Sequence, residues 1–188
     1  MAELENKMET FAKIIEGRVV HDEGRVQICL KGTILGFPAT LEAINAGWPF
    51  GVNYFIETNV IEDPDEEPDD QPLKLTLLPR VAHGFMKIFA RVLLVEARGM
   101  KLGDKKLENE FIASFNDHEE AMRFLQYPGV SEQLIKLHRQ SKFSEMLVKA
   151  GSGLWLSQPV NFKSLDADLF RETFKRLGEV GQILFESF

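Results

Sequence analysis

KFSEMLVKAGSGLWLSQPV, residues 142–160, decides the fold. Met146, Leu147 and Val148 lie on one side of Gly151-Ser152-Gly153, and Leu154, Trp155 and Leu156 on the other. Two short apolar runs around a glycine-bearing turn read as a β-hairpin, and a hairpin makes its strands antiparallel neighbours.

Downstream, the chain changes period. From about Asp166, Phe170, Phe174, Leu177, Gly181, Leu184 and Phe188 recur at spacings of four, three, four, three and four. That is one stripe of a helix, about 34 Å long at 1.5 Å per residue and able to cover a whole sheet. Gly181 on the stripe predicts close approach of a strand, or of a partner helix in a homo-oligomer. Upstream, Val130, Leu134 and Leu137 predict a shorter helix, and Pro128-Gly129 ends the one before it. Asn116 and Glu119 have the form of a capping box opening that earlier helix, after a short strand at 111–115.

In the first half, Leu4, Met8, Phe11 and Ile15 predict an amphipathic helix stopped at Gly17. RVVHDEGRVQICLK reads as two strands turning at Glu23-Gly24. GFPATLEAINAG is ambiguous, because Pro38 argues against a central strand there. Residues 51–60 alternate strictly, with Val52, Tyr54, Ile56, Thr58 and Val60 on one face, and Leu73, Leu75 and Leu77 resume the alternation. Residues 81–94 return to helical period, with Arg80, His83, Lys87 and Arg91 as a narrow polar stripe on an apolar, buried helix. Hairpins without regular crossover units define an α+β fold: largely antiparallel sheet covered by helices, with a long C-terminal helix. At 188 residues, the expectation is a single domain.

Charge is concentrated. Of the 29 Asp and Glu, seven fall in EDPDEEPDD, residues 62–70, and the 22 that remain equal the 22 Lys and Arg. The net charge of −7 therefore describes one predicted solvated loop, at the boundary of two sub-structures. No basic excess points to nucleic acid. Charges from Glu3 onward leave no secretory signal core, and the single Cys29 excludes an internal disulfide, so a cytoplasmic location is expected.

Catalytic signatures are missing. His21, His83, His118 and His138 have no metal-ligand spacing, and the acidic run lacks the glycine of a calcium loop. No nucleophile elbow or phosphate-binding glycine loop occurs, and Cys29 in an alternating strand reads as a packed thiol. No catalytic residue, metal or cofactor is assigned.

GDKKLENEF, residues 103–111, resembles the Gly-Asp-x-x-Phe-Asp-x-x-Phe motif of a group of uncharacterised bacterial proteins, with Leu107 and Glu108 replacing the first aromatic and its acid. The resemblance runs over about residues 102–188 and carries no activity. Read physically, Leu107 and Phe111 are core anchors, and Asp104 is a turn or cap residue.

Fifteen Phe against two Tyr and two Trp favour apolar recognition. Trp48, Phe50 and Tyr54, crowded into GWPFGVNYF, are the candidate binding residues for a small apolar ligand or a partner chain. The expectation is a non-enzymatic binding or interaction protein; the alternative is an enzyme whose polar residues converge only in the fold.

Overall fold

The computed structural model describes residues 2–20, 28–44, 51–58, 72–80 and 101–188. The turn expected at Glu23-Gly24, the acidic run at 62–70 and the apolar helix at 81–94 lie outside them. Helix α1 (Ala2–Ile14) leads into strands β1 (Arg18–Val20), β2 (Ile28–Ile34), β3 (Phe37–Ile44), β4 (Gly51–Glu57) and β5 (Lys74–Pro79). Then come α2 (Lys105–Glu110), β6 (Phe111–Phe115), α3 (His118–Leu125), α4 (Val130–Ser141), β7 (Glu145–Lys149), β8 (Gly153–Gln158), a 3-10 turn (Phe162–Ser164) and α5 (Ala167–Ser187).

The eight strands form one sheet in the order β1-β2-β3-β4-β8-β7-β5-β6, and every pair is antiparallel. The expected α+β class with a long C-terminal helix is what the chain adopts. The β7–β8 hairpin sits inside the sheet, between β4 and β5. Gly153 makes that insertion geometrically feasible. A Cβ there would lie 1.9 Å from the Ile56 carbonyl oxygen, and its φ of +132° suits glycine alone.

Pro38 is instructive. It belongs to an interior strand, yet its ring costs no ladder bond. Leu35 and Gly36, with φ of +50° and +86°, form a two-residue turn closed by the Ile34–Phe37 pair. The next pair, Thr33–Pro38, turns its backbone nitrogens outward, and the β4 ladder starts only at Ala39.

One face of the sheet and the described helices share a single core. Leu30, Leu41, Tyr54, Leu156, Val148, Leu75 and Phe111 supply it from the strands, and Phe11, Leu107, Phe124, Leu134, Leu137, Phe170 and Phe174 from the helices. Phe11 stacks on Phe170 at 4.3 Å between ring centroids. Phe174 meets Phe170 and Tyr54 edge-on at 5.0 and 4.9 Å. These rings join α1, α5 and β4, each pair adding about 0.5–1.5 kcal/mol beyond its burial.

Helix ends show where local reading was one residue out. The α3 cap is Asp117, whose carboxylate accepts the Glu120 N–H at 2.9 Å. Asn116 instead joins the start of β5, accepting the Lys74 N–H and donating to the Pro72 carbonyl. Both frames carry a cap residue followed three positions on by Glu, so the pattern alone does not choose. Asp104 caps α2, with Leu107 and Phe111 fully buried, and Asp166 caps α5. Phe188 leaves the buried stripe: it is the terminal cap of α5 and 40% exposed.

Candidate functional site: the sheet face away from the described helices

Strand alternation puts a second set of side chains on the face away from the core. Lys31, Thr40, Phe55, Trp155, Leu147 and Thr76 are successive cross-strand partners along one row. On one side of it runs Cys29, Glu42, Asn53, Ser157 and Glu145; on the other, Glu57, Gly153, Lys149 and Lys74. The row is apolar at its middle because β4 and β8 each place a large ring in the polar phase of an otherwise alternating strand.

A groove of about 560 Å³ opens over this middle. Phe55, Trp155 and Leu147 form its floor, with Lys31, Glu42, Glu57 and Lys149 around it. No described helix lines it. The Phe55 and Trp155 rings are tilted at 55° with centroids 6.5 Å apart. Among the described residues, no ion pair joins any of the four rim charges. Glu145, half-buried on the same face, has no hydrogen-bond or ion-pair partner among the described residues, and burial pushes its carboxyl above the usual carboxylate range.

A larger groove of about 710 Å³ lies between α2 and α4, and most of its charges are already engaged. Asp104 accepts from Ser131 Oγ at 2.5 Å as well as capping α2, and the Ser131 hydrogen bond leads in holding its carboxyl low. Glu110 pairs with Arg139 at 2.6 Å, and Glu132 with Lys136 at 2.5 Å. The Asp104–Ser131 and Glu110–Arg139 contacts tie the two helices together, whereas Glu132–Lys136 lies within α4, and together they leave few groups to receive a guest.

Of the three residues expected to bind, only Tyr54 lies among the described residues. Tyr54 points into the core, fully buried, and its hydroxyl donates to Gln158 Oε1 at 2.7 Å. Trp48 and Phe50 lie outside the described residues. Phe55 and Trp155 were missed, although a ring among Asn53, Glu57 and Ser157 in the polar phase is a signal visible in the sequence. Cys29 is buried at the edge of the same face. Among the described residues, no three His, Cys, Asp or Glu side chains gather as a metal site, and no helix is long and apolar enough to cross a membrane. No family model matches the chain, and neither the curated proteins nor the solved structures yield a match.

Proposed function

We propose that the protein is a non-enzymatic binding module whose working surface is the sheet face turned away from the described helices. The observation that carries this reading is the cross-strand row Phe55–Trp155–Leu147, an apolar floor bordered by charges that form no ion pair among the described residues. Rings placed on a rigid sheet bind with little ordering cost, since the strands already fix their positions. The groove volume lies within the roughly 300–1,000 Å³ of small-molecule sites, and flat apolar groups suit its floor.

Titration with anilinonaphthalene sulfonate, an apolar ring system with one negative charge, tests the reading. Probe emission should rise on binding, and Trp155→Ala should weaken the affinity by about tenfold, as for a central aromatic anchor. Binding that is indifferent to both Trp155→Ala and Phe55→Ala would place the probe elsewhere and reject this face.

A further inference from the structure

We propose that the groove over Phe55 and Trp155 is a site for a zwitterion with an aromatic body, the chemical class of the free aromatic amino acids. This rests on the groove being the working surface, and it names the ligand.

Gly153 leaves a notch beside the aromatic floor. Its cross-strand partners are Glu57 on β4 and Lys149 on β7, so an acid and a base stand on either side of a residue with no side chain. All three line the groove. The notch is fixed, because the close approach of the Ile56 carbonyl oxygen and the φ of +132° admit glycine alone. Glu57 and Lys149 are both exposed, and they form no ion pair with each other.

Strand spacing fits these two walls to a zwitterion. Neighbouring strands lie about 4.8 Å apart, which sets Glu57 and Lys149 about 9.6 Å apart with both side chains rising from the same face. One charge-assisted hydrogen bond of about 2.8 Å at each wall leaves about 4 Å between them, the width of a single carbon carrying an ammonium and a carboxylate. Glu57 takes the ammonium and Lys149 the carboxylate. Lys74, the next residue along this row beyond Lys149, adds a second positive charge on the carboxylate side. A lone anion or a lone cation satisfies one wall and leaves the other unused.

The aromatic body follows from the strand period. Trp155 is two residues beyond Gly153 on β8, hence on the same face and about 7 Å along the strand. Phe55 and Leu147 flank it just as Glu57 and Lys149 flank Gly153. A ligand whose charged carbon sits over Gly153 therefore lays a ring, carried on one methylene, over Trp155 and between Phe55 and Leu147. Offset or edge-on contact between rings favours an aromatic group there over an alkyl chain.

Isothermal titration calorimetry of the full chain tests this with L-phenylalanine and three of its fragments. Phenethylamine lacks the carboxylate, 3-phenylpropanoate lacks the ammonium, and glycine lacks the ring. Phenylalanine should bind about tenfold or more tighter than each of them. Glu57→Gln should weaken phenylalanine about tenfold without weakening 3-phenylpropanoate. Lys149→Gln should weaken phenylalanine likewise without weakening phenethylamine. Both substitutions fall at exposed positions, and circular dichroism with a thermal melt checks that each variant is folded. Phenylalanine that binds no tighter than its fragments overturns the inference, as does binding that ignores both substitutions. A chain that binds anilinonaphthalene sulfonate through Trp155 but not phenylalanine rejects the zwitterionic ligand while keeping the binding face; a chain that binds neither rejects both.

Discussion

Gln158 accepts the Tyr54 hydroxyl at 2.7 Å within the core, although the two residues lie 104 positions apart. The Gln158 amide donates onward to the Ser141 carbonyl at 2.6 Å, and Ser141 Oγ donates to the Leu137 carbonyl. A buried polar chain thus ties β4 to β8 and to the end of α4. Tyr54→Phe leaves one acceptor of Gln158 unsatisfied and should cost about 1–3 kcal/mol in urea unfolding. Gln158→Leu should cost more, because it strands both the Tyr54 hydroxyl and the Ser141 carbonyl. The reverse order would show that the chain is not what holds this corner.

Burial drives the Tyr54 phenol well above its ordinary ionisation range. A raised folded value means that the neutral phenol's contribution is complete below the unfolded value of about 10 and is lost as pH rises beyond it. Urea midpoints should therefore fall above about pH 10, and more steeply in the native chain than in Tyr54→Phe. Parallel curves would contradict this.

His138 predicts the acid side. Its ring sits edge-on to Phe111 and Phe143, and burial lowers its pKa despite the opposing pull of Glu110, whose Oε2 is 3.7 Å from Nδ1. For a lowered histidine, stability is full above the unfolded value of about 6.5 and declines as pH falls below it, because the unfolded chain takes the proton more readily. His138→Phe should flatten that decline. Thermal melts from about pH 7.5 to 5 would reveal it.

Gly178 and Gly181 should respond with opposite signs. A Cβ at Gly178 would meet Leu35 Cδ1 at 3.2 Å, the free end of a side chain that is 53% exposed and can move aside. Gly178→Ala should then gain up to about 1 kcal/mol of helix propensity. At Gly181 the neighbours are Ile56 Cγ2 at 3.2 Å and Thr58 Cγ2 at 3.4 Å, both on buried residues. Gly181→Leu should cost about 1–3 kcal/mol by overpacking, read as a lowered denaturant midpoint.

Phe174 is fully buried against Tyr54 and Phe170. Phe174→Ala should cost about 3–5 kcal/mol, and a chain ending before Asp166 should lose cooperative unfolding. A truncated chain that melts like the full one would mean that α5 is an appendage.

Where the sequence was legible, a local rule sufficed. The β7–β8 hairpin, the stripe of α5 and the alternation of β4 each need only a few neighbouring residues to declare themselves. The close approach expected at Gly181 is made by β4 of the same chain. Pro38 misled because its tolerance depends on which way one nitrogen points relative to a turn two residues away. The face carrying Trp155 was harder still. Leu147 meets Trp155 within the hairpin, but Phe55 joins them only because the hairpin enters the sheet beside β4, a pairing between distant segments that no window of sequence contains. Tyr54 was read with its neighbouring aromatics in the sequence, whereas the strand's two-residue period assigns it with Val52 and Ile56 to the interior.

The strand order also sets a timetable for synthesis. As the chain leaves the ribosome, β1 to β4 can zip into a meander, but the outer edge of β4 must wait for β8. Until then Gly51–Glu57 carries a row of bare amides and carbonyls beside Phe55, the kind of edge that recruits stray strands. The nascent protein is therefore most vulnerable just before its last quarter emerges, and a chaperone that shields one strand edge would serve it better than one that shields a greasy helix.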